Sequence, residues 1–203
     1  MDPVILDRSL KLIEEIYNES MYGDKDIFRI KDIIHSVDSN HWNNKQWLAD
    51  IFKNIYGDYE GGKFIVLGGW YGMMAYQLRK KFNNNFHIVS TDMDPKCKDI
   101  GYKLFHDQNI EFSTLRMEDL NEDASAIICT SCEHIDNKIL NKIIKNKNRD
   151  TWIAFQSADL EHPTHINASK SLMEFVESLE LRKIEYKGKW ENYNFTRFMV
   201  IGR

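Results

Sequence analysis

From residue 63 onward the chain alternates short apolar runs with amphipathic stretches. The runs at 63–67, 87–91, 110–113, 125–130 and 151–156 predict strands, and the stretches at 72–82, 95–106, 136–145 and 167–179 predict helices. Two more apolar runs, 181–187 and 196–201, predict a closing pair of strands. Their connection is too short for a helical crossover, so the last strand is expected to run antiparallel. The pattern predicts an α/β fold: a mostly parallel seven-stranded sheet with helices on both faces and an antiparallel last strand. Ahead of it, Val4, Ile5, Leu10, Leu12, Ile13, Ile16 and Tyr17 share one helical face over 4–20, and 27–35 predicts a short second helix. Polar residues 36–44 interrupt the pattern. It resumes over 45–55, with Trp47, Leu48, Ile51, Phe52 and Ile55 on one side, before Gly57 and Gly61-Gly62 punctuate the chain. Residues 1–60 are thus expected to form a helical extension, or lid, on a domain spanning 61–203.

Composition narrows the function classes. The 203 residues carry 27 basic and 31 acidic side chains, a net charge of -4. The basic surplus of a duplex-binding protein is absent, so the chain carries no strong nucleic-acid signal. No apolar run reaches the roughly 20 residues that span a bilayer. Met1-Asp2-Pro3-Val4 does not open a signal peptide, and three cysteines, an odd number, fit a reducing compartment better than a disulfide framework. A cytoplasmic location is expected.

The sharpest chemical signal lies at the first strand. Phe64-Ile65-Val66-Leu67 runs into Gly68-Gly69-Trp70-Tyr71-Gly72, and the second strand ends in Ser90-Thr91-Asp92. A glycine turn between strand and helix, with an acid about 20 residues on, is the layout of a βαβ unit that holds a nucleoside-containing cofactor. The glycines let the backbone approach a ligand, and the acid can accept bonds from ribose hydroxyls. The bland alternative for Asp92 is a helix cap, although Asp94, just before Pro95, is better placed for that.

The order, spacing and closing hairpin resemble a class I (Rossmann-like) S-adenosylmethionine-dependent methyltransferase over residues 61–203. That family's first turn reads roughly acid-Leu-Gly-x-Gly-x-Gly-x-Leu-Ala. Leu67-Gly68-Gly69-Trp70-Tyr71-Gly72-Met73-Met74-Ala75 overlays it, with Trp70 at the middle glycine and Val66 at the acid. The resemblance implies S-adenosylmethionine as cofactor, held by Gly68, Gly69, Trp70, Gly72, Asp92 and Met93. It adds Met117 and Glu118 in the loop that lies against the base, where the family's usual acid falls on Arg116, and Thr130 after the fourth strand. With Val66 in place of the acid, the cofactor's amino-acid end must be held by another residue or in another way.

Open α/β sheets put their ligands at strand carboxyl ends. There Glu133-His134 resembles a pair found in small-molecule methyltransferases, and both are candidate catalytic residues. His134 titrates near neutrality and can act as a general base; the alternative is a histidine that fixes its loop. Beyond the fifth strand, Gln156, His165 and Asn167 are candidate substrate residues, against an ordinary loop in which Asn167 caps a helix. Trp42 joins them as a lid residue, or docks the extension on the core. Cys129-Thr130-Ser131-Cys132 is a C-x-x-C, and Cys132, His134 and His165 carry metal-binding atoms, but nothing in their spacing enforces a site and no metal is expected. The basic run Lys138, Lys142, Lys145, Lys147 and Arg149 reads as a solvated helix face.

The expected activity is methyl transfer to an oxygen or nitrogen of a small-molecule acceptor. The fourth strand end lacks the Pro-Pro-aromatic motif of DNA amine methyltransferases, and no Pro-Cys nucleophile occurs. Two other readings stay open: a non-catalytic nucleoside-cofactor-binding protein acting through a partner, and an NAD-dependent oxidoreductase. The second needs G-x-G-x-x-G, whose glycines fall on Trp70 and Met73.

Overall fold

The computed structural model describes residues 2–19 and 26–203. The first helix, α1 (Pro3–Glu19), covers the expected segment up to residue 20, which lies outside the described residues. It is followed by α2 (Ile27–Ser36) and α3 (Ser39–Tyr56). Here the polar interruption predicted at 36–44 shrinks to two residues. Asp38 accepts from the His41 amide at 2.8 Å and caps α3 six residues earlier than its apolar periodicity begins. Tertiary contacts, not periodicity, make 39–44 helical, since Trp42 and Asn44 are both buried.

The β-α series then runs β1 (Gly62–Leu67), α4 (Met73–Lys81), β2 (Phe86–Asp92), α5 (Pro95–Phe105), β3 (Ile110–Thr114), β4 (Ala126–Cys129), α6 (Asn137–Asn146), β5 (Trp152–Ala158), α7 (Leu172–Ser178), β6 (Ile184–Glu191) and β7 (Thr196–Gly202). The sheet order is β3-β2-β1-β4-β5-β7-β6, parallel except that β7 pairs antiparallel with both β5 and β6. Two late boundaries shift. Strand β6 starts three residues beyond the predicted 181–187 and extends to Glu191, an edge strand of alternating exposed charge that suits an unpaired border. Helix α7 starts at Leu172 under a Ser171 cap, because the residues from 167 are held as a loop by side-chain bonds described below.

Alternation along the central strands feeds two cores. Phe64 and Val66 of β1, Ala126 and Ile128 of β4, and Trp152 and Ala154 of β5 face one cluster, with side chains from α1 to α5. Ile65 and Leu67, Ile127 and Cys129, and Ile153 and Phe155 face the other, under α6 and α7. The first core joins α3 to the sheet through Phe52, fully buried with its ring 5.6 Å from that of Phe64. Burying one such side chain contributes about 1.5–3 kcal/mol. Arg29 of α2 ties the amino-terminal helices to α5 by bonding Asp94 at 2.8 Å and the Tyr71 hydroxyl at 2.9 Å. On α6, Leu140, Ile143 and Ile144 are buried while Lys138 and Lys145 stand in solvent. Among the described residues no helix is long and apolar enough to cross a membrane.

Candidate active site

Strand order reverses between β1 and β4, and this switch point is where open α/β sheets leave a crevice at their carboxyl ends. A cavity of about 580 Å³ lies there, within the range of small-molecule sites.

Its turn side is made mostly of backbone. Gly68 has φ +57° and faces the cavity, where a Cβ would meet nothing closer than the Met117 methyl at 3.8 Å. Trp70 has φ +50°, a conformation that costs a non-glycine residue of order 1–3 kcal/mol. Its amide donates to Asp92 Oδ2 at 3.0 Å, and its ring stacks on Tyr71 at 5.0 Å, which together hold it there. Gly69 also lines the cavity, and a Cβ on it would sit 2.2 Å from Ser90 Oγ. Gly72 does not line the cavity; it opens α4 and packs on Phe112.

Asp94 accepts from the Lys96 amide and caps α5. Asp92 accepts from the amides of Trp70 and Asp94, one at each oxygen, and lines the cavity. Each carboxylate oxygen can accept twice, so each keeps a lone pair for a ligand. Met93, Met117, Glu118 and Thr130 also line this cavity, beside Leu115 and Arg116. Glu118 carries an ion pair to Arg116.

The far side is built from side chains. Glu133, 3% exposed, bonds Arg197 Nη1 through Oε1 at 2.7 Å, while its Oε2 is buried without a partner. Arg197 also donates to the Thr130 carbonyl. Lys45, 7% exposed, lines the cavity and makes no hydrogen bond or ion pair among the described residues. Burial, and then the charge of Arg197, push its ammonium down to about 7. His41 lines the same wall, its pKa lowered by desolvation against the opposing pull of Asp38. His134 and His165 meet edge to face with ring centroids 4.5 Å apart. Desolvation also lowers His134.

Of the four substrate candidates only His165 lines the cavity; the other three lie away from it. Trp42 is buried against Tyr76, with Lys80 over its ring, and docks α3 on α4. The helix turns its neighbours His41 and Lys45 toward the cavity instead. Gln156 is fully buried in β5 and reaches the Asn44 carbonyl. The Asn167 amide group donates to Ile135 O at 2.9 Å and Asn137 Oδ1 at 2.8 Å, which clamps its loop and delays α7. Cys132 is fully buried with Sγ directed at the Cys129 carbonyl. Burial raises its thiol pKa, the opposite of what thiolate redox or metal chemistry needs.

Lys45, Phe195 and Arg197 line the cavity without having been singled out from sequence, while His41, in the Asn40-His41-Trp42 segment read as part of a lid, lines it in place of Trp42. A signal for two of them was present. Lys45 stands on the buried stripe of Leu48, Ala49, Phe52 and Tyr56, a charge in an apolar register. Arg197 likewise sits in the buried run of β7.

No protein-family model matches the chain, and no curated protein matches it in sequence. Solved structures do match. The mitomycin 7-O-methyltransferase MmcR aligns over 100% of this chain and 69% of its own, with a TM-score of 0.63 and 12% identity. The cyclase SpnF aligns over 78% and 80%, at 0.63 and 11%. Coclaurine N-methyltransferase, in a structure bound to N-methylheliamine and SAH, aligns over 74% and 52%, at 0.58 and 12%. The chain therefore has the class I, Rossmann-like, S-adenosylmethionine-dependent methyltransferase fold. At these identities the likeness establishes fold, and SpnF is a reminder that one fold hosts more than one reaction.

Proposed function

We propose that the protein binds S-adenosylmethionine and transfers its methyl group to an oxygen or nitrogen of a small-molecule acceptor. One observation carries this reading. A single cavity joins the glycine turn and the free lone pairs of Asp92 to a polar far wall containing Glu133 and His134. The solved neighbours with this fold include an O-methyltransferase and an N-methyltransferase, the latter bound to SAH.

Asp92 receives the ribose hydroxyls, while Met117 packs against the base beside Gly68. Lys45, a buried cation with no partner among the described residues, meets the cofactor's carboxylate. When bound, the cofactor supplies a methyl group activated by a sulfonium. The residues of the far side orient the acceptor's nucleophile toward it, and most of the rate comes from that alignment. His134 donates through Nδ1 to the Thr164 carbonyl at 3.0 Å, which leaves Nε2 as the acceptor for the nucleophile's proton. Its lowered pKa keeps that nitrogen unprotonated at neutral pH.

A screen of phenols, catechols and amines for cofactor-dependent product tests the reading. A turned-over acceptor, with His134→Gln reducing kcat by about 10²–10⁴-fold at unchanged cofactor affinity, supports it. Unchanged kcat removes His134 from the chemistry. Cofactor binding with no methyl transfer to any acceptor moves the non-catalytic reading to first place. The oxidoreductase reading loses ground to the antiparallel β7 inserted between β5 and β6, which departs from the dinucleotide-binding order.

A further inference from the structure

We propose that Glu133, His134 and His165 hold a divalent transition-metal ion on the far wall of the cavity. Each offers one ligand atom, and the three atoms lie within 4.8 Å of one another. Bonds to such an ion are about 2.0–2.2 Å, so closing on it takes side-chain adjustments of roughly 1 Å.

The hydrogen bonds around the three side chains suit metal ligation. Metal-binding histidines usually donate their second ring N–H to a carbonyl or carboxylate, which fixes the tautomer and aims the free nitrogen. Here His134 Nδ1 donates to Thr164 O at 3.0 Å, and His165 Nδ1 donates to Leu160 O at 2.6 Å. Both rings are thereby set with a bare Nε2. Glu133 has one oxygen on Arg197 and the other buried with no partner, a cost that a cation would relieve. The two segments are also fastened together. The Asn167 amide donates to Glu133 O at 2.9 Å, and its side chain bonds Ile135 O, so the loop carrying His165 cannot drift from the turn carrying the other two.

Two imidazoles and a carboxylate favour zinc, cobalt, nickel, manganese or ferrous iron over magnesium and calcium, which prefer oxygen ligands throughout. Three protein ligands leave coordination positions open toward the cavity. Arg197 opposes a dication, and an acceptor entering as an anion offsets it. The site therefore takes a hydroxyl-bearing acceptor, phenolic or vicinal, whose O–H is made more acidic: its proton leaves to solvent, and the resulting oxyanion bonds the methyl carbon as the methyl–sulfur bond breaks and S-adenosylhomocysteine departs. This last role rests on the methyl-transfer reading; the metal site does not. With the ion bound, the Nε2 lone pair of His134 is a ligand and no longer a base.

The test is titration of the purified, chelator-treated full chain with Co²⁺ and Zn²⁺, without cofactor, followed by calorimetry and by cobalt d–d absorption. One ion per chain is expected. Affinity should fall at least tenfold in His165→Ala and in His134→Ala, and stay unchanged in His162→Ala, whose ring is 5.4 Å from that of His165. Circular dichroism identifies any variant that has lost its fold, in which case His165→Gln replaces it. No stoichiometric binding, or binding equal in wild type and folded His134 and His165 variants, overturns the proposal. SAH is titrated in parallel. Metal without SAH binding would overturn the cofactor reading alone, and SAH without metal binding would overturn this one alone.

Discussion

The turn side and the far side of the cavity solve the same problem, placing polar groups in a buried crevice, by different means. The turn side uses amides and one carboxylate from two neighbouring strand ends, and its one strained residue, Trp70, is held by Asp92. The far side buries charged side chains, Lys45, Glu133 and Arg197, brought from α3, the turn after β4, and β7. Backbone donors come satisfied with the fold. Buried charges do not: among the described residues Glu133 Oε2 and Lys45 lack partners. The far side should therefore hold most of the stability cost that the ligands relieve.

The contrast is broken most forcefully at Arg197. Arg197→Met leaves Glu133 buried without its countercharge and is expected to cost about 3–5 kcal/mol in urea unfolding, whereas Glu133→Gln combined with Arg197→Met should recover much of that loss. A loss below about 1 kcal/mol would mean the pair is not buried in solution.

On the turn side the comparable test is steric. Gly69→Ala places a Cβ 2.2 Å from Ser90 Oγ and should cost about 1–3 kcal/mol. Ser90→Ala should return a measurable part of it, and a double-mutant cycle showing strict additivity would contradict the close approach.

Lys45→Met is expected to act with the opposite sign. The folded chain holds this lysine's pKa near 7, against about 10.4 when unfolded. Between those values the unfolded chain binds the extra proton, so wild-type stability rises with pH across that window and the full penalty is present below pH 7. The variant should be more stable than wild type by about 1–3 kcal/mol at pH 6, an advantage that fades toward pH 10. It should also weaken SAH several-fold while leaving 5′-methylthioadenosine, which lacks the carboxylate, unchanged. Equal losses for both would remove Lys45 from the carboxylate site. The smallest effect belongs to the solvated face of α6, where Lys145→Ala breaks only the exposed pair with Glu180 and should change stability by about 0–0.5 kcal/mol.

The same division explains what could be read from the sequence. The turn at Gly68 and the acid at Asp92 are close in the chain, because adjacent parallel strands impose a fixed spacing on whatever they hold. The mostly parallel seven-stranded sheet and the antiparallel β7 followed from periodicity and one short connection, whereas the strand order did not. What escaped was set by packing between distant segments. Helix α3 began early because Asp38 caps it and Trp42 docks on α4, and that same rotation brought His41 and Lys45 to the cavity in place of Trp42. Gln156 and Asn167 were chosen for their polarity near a strand end, but both spend their hydrogen bonds on backbone. The far wall has no local pattern; its traces were a lysine and an arginine in apolar registers.

The most direct test of the central claim is calorimetric titration of wild type and Asp92→Ala with SAH, with NAD as the control ligand. The account predicts micromolar SAH binding by wild type, a loss of about tenfold or more in the variant as charge-assisted bonds to the ribose disappear, and no binding of NAD. A folded wild-type protein that ignores SAH, or one that binds it equally well without the Asp92 carboxylate, would contradict it.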